Sequence, residues 1–254
     1  MLGSSGVSPE TYYTLGLISA ILGKSEEAEQ AYKKAIEARP DYWGARYSLG
    51  VLYAEKGRYN KASAELMLAL GGMPGSLRIY RKIAHIYHQQ GNHEEEIRIY
   101  RSALEKLPNH PHAYLLHEGL GLAYYATRNY EQAIGKLRKA LEWQPHDPHI
   151  RVNLGTAYLA TGKTDQAVQE FTNALKLKPD LLSALRNLGT FYLRTGQFEG
   201  AVEILRKAVA VAPSDANTHR KLALAYQKKH VEAKAQEHMR KAIELEQLSG
   251  GGTD

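Results

Sequence analysis

Two consecutive stretches of the chain, 148–181 (PHIRVNLGTAYLATGKTDQAVQEFTNALKLKPDL) and 182–215 (LSALRNLGTFYLRTGQFEGAVEILRKAVAVAPSD), align with each other without a gap. Both have Leu-Gly near the start, a glycine in the middle, spaced alanines after it and a proline near the end. Self-similarity at a fixed period of roughly 20–50 residues is the signature of a solenoid of stacked repeats. The two stretches therefore predict a repeat protein rather than one large globular core.

The same period extends through most of the chain. Six prolines follow one another at intervals of 34, 34, 37, 34 and 34 residues, namely Pro40, Pro74, Pro108, Pro145, Pro179 and Pro213. This spacing predicts seven repeats, at 9–42, 43–76, 77–113, 114–147, 148–181, 182–215 and 216–248. Glycine and serine dominate both ends, so we expect flexible segments at 1–8 and 249–254.

Small side chains occupy equivalent places in the repeats. When the repeats are aligned, one column holds only small residues: Gly16, Gly50, Ala84, Gly121, Gly155, Gly189 and Ala223. A second column holds Ala28, Ala62, Ala133, Ala167, Ala201 and Ala235, with Glu96 as the exception. Antiparallel helices approach to about 8–10 Å where small side chains face bulky ones. A glycine between the helices of most pairs (Gly23, Gly57, Gly91, Gly162, Gly196) predicts a left-handed turn. Most of the prolines are followed by residues that are predicted helix caps, namely Asp41, Asp147, Asp180 and Ser214 with Asp215.

The pattern resembles the tetratricopeptide repeat family, with the residues Leu154, Gly155, Tyr158, Gly162, Ala167, Phe171, Ala174 and Pro179 and their counterparts from Leu188 to Pro213. The resemblance covers about seven repeats. It implies an all-α, right-handed superhelical solenoid of antiparallel helix pairs, in which the first helix of each pair lines a concave groove. The family's usual role is protein–protein assembly, so the resemblance implies no catalytic chemistry and no cofactor.

Composition agrees with a folded, non-membrane class. Hydrophobic residues make up 43% and charged residues 24% of the 254 residues, and there is no cysteine. Disulfides, cysteine-type zinc fingers and thiol catalysis are therefore excluded. No window approaches the roughly 18 apolar residues of a membrane span. The cytoplasm is the favoured compartment, and a periplasmic or membrane-anchored protein remains an alternative if an N-terminal signal or anchor has been removed.

The groove implied by the resemblance has two kinds of surface. Aromatic residues are expected on its floor in the early repeats, and basic residues farther on. The candidate peptide-binding residues are Tyr13, Tyr47, Arg78, Arg81, Lys82, His85, His88, Tyr125, Asn153, Arg186, Asn187, Arg194, Arg220 and Lys221. Aromatics bury apolar side chains, and arginine and lysine attract carboxylates. The partner we expect is therefore another protein, contributing an extended or helical segment with acidic and apolar residues.

Asn153 and Asn187 stand where some family members hold a bound peptide's backbone, because an amide both donates and accepts hydrogen bonds. A solvated or helix-supporting role for them is the alternative. The co-chaperone subgroup that captures C-terminal carboxylates needs another asparagine three positions later. This chain has Thr156 and Thr190 there, which argues against that subgroup.

Histidines raise the question of metal binding. His85 and His88 are three residues apart, and His110, His112 and His117 follow. No carboxylate or cysteine spacing completes a recognised site, so the sequence predicts no metal site, and a pH-sensitive patch is an alternative. Glu96, in its alanine column, must either push its helices apart or pair with a neighbouring base.

Other functional classes have little support. The formal charge of +6 is modest for 254 residues, and no phosphate-binding loop, stacking motif or basic run indicates nucleic acid. No nucleophile motif or cofactor signature indicates an enzyme. Two non-enzymatic functions remain: an adaptor that holds a partner's peptide in the groove, and a self-assembling scaffold. The second is suggested by Ile243, Leu245 and Leu248, which are expected to leave an apolar edge on the last helix.

Overall fold

The computed structural model describes residues 7–250, with side chains up to residue 248. The predicted flexible segments 1–8 and 249–254 therefore lie outside the described residues, apart from Val7, Ser8 and the backbone of 249–250. Ser8 caps the first helix, because its hydroxyl accepts a hydrogen bond from the amide of Thr11. All secondary structure in the described range is helical, which confirms the all-α class.

The chain forms two compact units, unit 1 (Met1–Arg128) and unit 2 (Asn129–Asp254). Within each, sequence-adjacent helices pack against one another, as in a solenoid of antiparallel pairs. The helices of unit 1 are α1 (Pro9–Ile21), α2 (Ser25–Ala38), α3 (Trp43–Glu55), α4 (Tyr59–Gly72), α5 (Leu77–Gln89), α6 (His93–Lys106) and α7 (Ala113–Ala126). Those of unit 2 are α8 (Tyr130–Trp143), α9 (Pro148–Ala160), α10 (Thr164–Leu177), α11 (Leu182–Arg194), α12 (Phe198–Val211), α13 (Ala216–Lys228) and α14 (Glu232–Gly250).

The small residues predicted to permit close helix packing do face bulky partners. A Cβ added at Gly155 would lie 2.7 Å from the ring of Phe171, and one added at Gly189 would lie 2.7 Å from Leu205. Real Cβ atoms do not approach other atoms so closely. These positions therefore need glycine so that the first helix of each pair can contact the second.

The predicted turn glycines are confirmed as well. Gly23, Gly57, Gly91, Gly162 and Gly196 all have φ between +69° and +76°. In the fourth and seventh repeats this place is taken by Arg128 and His230, which adopt the same left-handed region with φ of 62° and 58°. The turn geometry therefore persists even where the residue that favours it is absent.

The capping prediction is correct for two aspartates and wrong for two. Asp147 accepts hydrogen bonds from the amides of His149 and Ile150, and Asp215 accepts one from the amide of Asn217. Asp41 and Asp180 are not caps, because the following helices begin one residue too far along and have Tyr42 and Leu181 at the N-cap. Capping depends on the carboxylate lying directly before the first helical residue.

The extra residues of the third repeat mostly lengthen a joint. Six residues separate α6 from α7, compared with four between α4 and α5, and α7 has 14 residues where α5 has 13. No helix among the described residues is long and apolar enough to cross a membrane.

Candidate functional site

In each unit the odd-numbered helices form one layer. Besides its pairing partners, α3 contacts α1 and α5 in unit 1, and α11 contacts α9 and α13 in unit 2. Helices that touch both their pair partner and the equivalent helix of the next repeat lie on the closely spaced side of a solenoid, which is its concave side. The fourteen predicted binding residues all belong to these odd-numbered helices. The odd-helix layer of each unit is therefore the candidate binding surface.

In unit 2 a hydrogen-bond ladder joins successive odd helices. The amide nitrogen of Asn187 on α11 donates to Thr156 Oγ1 on α9 over 3.2 Å. One repeat later, Lys221 Nζ on α13 donates to Thr190 Oγ1 on α11 over 2.9 Å. Each threonine hydroxyl in turn donates to a backbone carbonyl of its own helix, four residues back. The ladder holds the Asn187 and Lys221 side chains across the layer in defined positions.

A cleft of about 360 Å³ opens beside this ladder. Its lining combines an apolar floor with amide, hydroxyl and cationic groups, from Leu159, Thr164, Asn187, Thr190, Phe191, Arg194, Thr195 and Lys221. Concave sites of this volume with a few convergent polar groups are typical of ligand sites. The cleft brings together three of the predicted residues, Asn187, Arg194 and Lys221.

The electrostatics of this region favour an anion. Burial, and then the charge of Arg186, lower the pKa of Lys221, while Asp215 acts in the opposite direction. Arg186 lies 3.5 Å from a carboxylate oxygen of Asp215. Burial acts to raise the pKa of Asp215, but the hydrogen bond from Thr218 and the charge of Arg186 outweigh it, so the pKa is lowered. Asp215 thus pairs with Arg186, whereas Lys221 donates to the neutral hydroxyl of Thr190, so a second anion would relieve the repulsion between the two cations.

Arg220 belongs to a different surface. Its guanidinium is ion-paired with Glu246 on α14, so its charge is already neutralised there. Asn153 is half-buried and interacts with a neighbouring group. The candidate binding residues of unit 2 therefore lie in three places: in the cleft, beside the cleft, and next to the last helix.

In unit 1 the predicted aromatics take part in packing between helices. The ring of Tyr13 lies 5.0 Å from that of Tyr42 and 6.0 Å from that of Tyr32. The Arg78 guanidinium lies over the Tyr47 ring, 4.5 Å from its centroid. Tyr47 Oη is buried without a hydrogen-bond partner. These aromatics therefore stabilise the odd-helix layer as well as forming part of its surface.

The remaining candidates in unit 1 are more accessible. Arg81 and His85 are exposed on α5, and Lys82 is half-buried. Tyr125 on α7 is half-buried and interacts with a neighbouring group. His88 is exposed but is hydrogen-bonded to Glu96 on α6. The basic residues predicted on α5 are thus partly accessible, although His88 faces the turn between α5 and α6.

Sequence reasoning missed part of the cleft lining. Leu159 and Phe191 form its apolar side, and Thr190 anchors Lys221. A signal was available, because Thr156 and Thr190 stand one 34-residue period apart, as do Asn187 and Lys221. Asn187 follows Thr156 by 31 residues, and Lys221 follows Thr190 by the same number. This common spacing would have indicated a repeated contact between neighbouring odd helices.

Comparison with family models finds the tetratricopeptide repeat at residues 13–76, 77–105, 124–171 and 159–225. Together these matches span most of the chain. The chain belongs to the tetratricopeptide repeat family. The resemblance inferred from residues such as Leu154 and Gly155 is thereby confirmed. No protein in a search of curated sequences matches the chain.

Solved structures with the tetratricopeptide fold are similar to this chain at low sequence identity. A tetratricopeptide repeat protein from Parabacteroides merdae is 20% identical with a TM-score of 0.73, and 94% of each chain is covered. PilF of Pseudomonas aeruginosa is 19% identical with a TM-score of 0.65, covering 88% of this chain and 97% of PilF. YrrB, described as a TPR protein with an unusual peptide-binding site, is 22% identical with a TM-score of 0.59, covering 80% of this chain and all of YrrB. At these identities the likeness establishes the fold.

Proposed function

We propose that this tetratricopeptide repeat protein is a protein-interaction adaptor, and that the cleft of unit 2 binds a peptide segment carrying a carboxylate next to an apolar side chain. The observation that supports this is the placement of Lys221. Within the described part of the chain, its ammonium donates to the neutral hydroxyl of Thr190 and forms no ion pair with a carboxylate. A partner's carboxylate would supply the missing countercharge.

The apolar part of the cleft selects the rest of the ligand. Leu159 and Phe191 line one side, so an aliphatic or aromatic side chain next to the bound carboxylate would bury apolar area there. Asn187 can both donate to and accept from an extended backbone. The adaptor role requires binding groups only, so the proposal assigns no catalytic step to these residues.

Peptide display tests this proposal directly. Peptides selected on the wild-type protein are sequenced, and a selected peptide is then measured by fluorescence anisotropy against Lys221→Met. We expect selected peptides to be enriched in Asp or Glu beside an apolar residue, and Lys221→Met to weaken binding about tenfold, since a charge-assisted hydrogen bond is lost. Methionine keeps the aliphatic length of the side chain, so the variant should remain folded.

The matched control is Lys207→Met on α12, where the lysine pairs with Glu203 on the exposed surface of an even-numbered helix. This variant should bind the peptide as the wild type does. Selected peptides without acidic residues, or equal binding by Lys221→Met, would show that the cleft does not recognise a carboxylate.

A second candidate function is self-assembly, which the apolar ends of the chain favour. Leu15 on α1 is 51% exposed, whereas the equivalent Leu49 and Leu154 are each 2% exposed. On α14, Ile243 is 47% and Leu248 72% exposed. Exposed apolar side chains at the ends of a solenoid favour association with another copy.

Light scattering over a concentration series tests this second function. Self-assembly predicts a mass that rises above the 28.3 kDa of one chain and returns to it in a Leu15→Glu, Ile18→Glu variant. Leu68→Glu on α4, which is also an exposed leucine, is the control and should leave the mass unchanged. A mass of one chain at every concentration would exclude self-assembly under those conditions.

A further inference from the structure

The third repeat contains a buried carboxylate that packing does not require. Glu96 on α6 is 4% exposed, in the column where the other six repeats have alanine. Five of these six alanines are fully buried, namely Ala28, Ala62, Ala133, Ala167 and Ala201. Burying an ionised carboxylate costs free energy unless charged or hydrogen-bonding partners compensate it. The residues that contact the Glu96 carboxylate therefore indicate the role of this side chain.

Both partners are histidines, and both bind the same oxygen. His88 Nδ1 lies 3.1 Å and His93 Nδ1 lies 2.8 Å from Glu96 Oε2. The two imidazole rings have centroids 5.3 Å apart. One possible ligand atom from each of the three residues lies within 4.8 Å of the other two. The three side chains thus point at a common centre.

The helix–turn–helix of the repeat creates this arrangement. His88 lies in the last turn of α5, while His93 and Glu96 lie in the first turn of α6, three residues apart and so on one face. Gly91 reverses the chain with φ of +69°, and Asn92 caps α6 by accepting a hydrogen bond from the amide of Glu95. The cluster is therefore held by regular helices on both sides of a short turn.

We propose that His88, His93 and Glu96 form a binding site for a divalent transition-metal ion of the zinc class. Two imidazoles and one carboxylate are a ligand set that zinc accepts with three protein ligands and an open fourth position. Magnesium and calcium prefer oxygen ligands only, so the two imidazoles select against them. The fourth position is available to water or to a donor from a bound partner.

Two of the three distances between the ligand atoms fit such an ion with little movement, and all three lie within 4.8 Å. Metal–ligand bonds of about 2.0–2.2 Å in a tetrahedral site place neighbouring ligand atoms about 3.3 Å apart. The two nitrogen–oxygen distances of 3.1 and 2.8 Å need to increase by only a few tenths of an ångström. Coordination through Nδ1 requires each neutral imidazole to carry its proton on Nε2, and the exposure of His88 allows this exchange with solvent.

A bound ion would connect α5 to α6 directly. His88 supplies a ligand from one helix, and His93 and Glu96 supply ligands from the other, so binding should stabilise the third repeat. An ion that binds the folded state raises the unfolding temperature according to its concentration and affinity. A hydrogen-bonded His–Glu–His group without a metal would show no such dependence.

Calorimetric titration of the EDTA-treated full chain with Zn²⁺ tests the site, and Co²⁺ absorption reports its geometry. We expect one strongly bound Zn²⁺ per chain, a tetrahedral Co²⁺ spectrum and a higher unfolding temperature with Zn²⁺. Glu96→Ala should weaken binding at least tenfold and abolish the thermal shift. This variant has the alanine of the equivalent positions, so it should remain folded, and circular dichroism verifies this.

Two further variants make the result specific. His93→Asn should also weaken Zn²⁺ binding at least tenfold. The control is His110→Asn combined with His112→Asn, whose rings lie 5.7 Å apart and whose change should leave binding unaltered. No measurable heat with Zn²⁺, equal binding by Glu96→Ala, or loss of binding in the control variant would each overturn the proposal.

Discussion

The Nδ1 atoms of His219 and His238 lie 3.1 Å apart, at the place where two other repeats have an arginine–glutamate ion pair. His219 Nε2 donates to the carbonyl of Pro213 over 3.0 Å, just as Arg151 donates to the carbonyl of Pro145. His219 Nδ1 therefore accepts a hydrogen bond from His238. Protonation of both rings would leave two donors facing each other.

We therefore expect the stability of the last repeat to fall in mild acid. Burial lowers the pKa of His238, and His219, Lys234 and Arg206 lower it further, while Glu237 acts in the opposite direction. A lowered pKa means that the unfolded chain takes up the proton first, so the stabilisation is complete above pH 6.5 and is lost as pH falls through the folded-state pKa.

Urea unfolding midpoints above and below pH 6.5 measure this effect. The variant His219→Arg with His238→Glu, which copies the ion pair of other repeats, should lose less stability in acid than the wild type. The other histidines are common to both proteins, so the difference between the two pH profiles isolates this pair. Identical profiles would show that the pair does not sense pH.

Replacement by alanine should have opposite effects on stability at the two glycines that end α4. A Cβ at Gly72 would overlap the indole of Trp43, whereas a Cβ at Gly71 meets nothing within 4 Å. We expect Gly72→Ala to lower the free energy of unfolding by about 1–3 kcal/mol through overpacking. Gly71→Ala should raise it by up to about 1 kcal/mol through helix propensity. Thermal unfolding of both variants checks this, and equal effects would contradict it.

Replacing His230, which lies in a left-handed turn, by glycine should stabilise the protein. Its φ of 58° is unfavourable for a residue with a Cβ, and the equivalent Gly162 and Gly196 adopt this region with φ of 74° and 76°. We expect His230→Gly to raise the free energy of unfolding by about 1 kcal/mol, and the reverse change Gly162→Ala to lower it similarly. A lower unfolding temperature for His230→Gly would show that its side chain contributes more than the strain costs.

The partly buried ion pair of Arg151 and Glu170 should contribute more to the free energy of unfolding than an exposed ion pair does. Arg151 and Glu170 are 20% and 18% exposed, and Arg151 also donates to the carbonyl of Pro145 over 2.6 Å. Arg151→Met should lower the free energy of unfolding by about 1–3 kcal/mol, because it leaves the half-buried carboxylate of Glu170 unpaired and removes the hydrogen bond to Pro145. Lys207→Met removes an exposed pair with Glu203 and should lower the free energy of unfolding much less than Arg151→Met does in the same denaturation assay.

Much of the fold was predictable because its constraints are local or repeated. The 34-residue period, the turn glycines and the small column that includes Gly155 each describe a contact within one helix pair, so the pattern repeats in the sequence. The caps show where such reasoning fails. Asp41 and Asp180 are correct in type, but they lie one residue before the position from which a carboxylate can reach the helix amides.

The candidate binding surface could be predicted only as a set of helix positions. The sequence by itself determined that this chain forms helix pairs and which positions belong to the first helix of each pair, because periodicity records contacts that recur. Tertiary structure alone decided that Arg78 covers Tyr47, that Arg220 pairs with Glu246, and that Lys221 lines the cleft with Phe191. Such pairs join side chains on different helices, so they depend on packing distances and rotamers that no local pattern encodes.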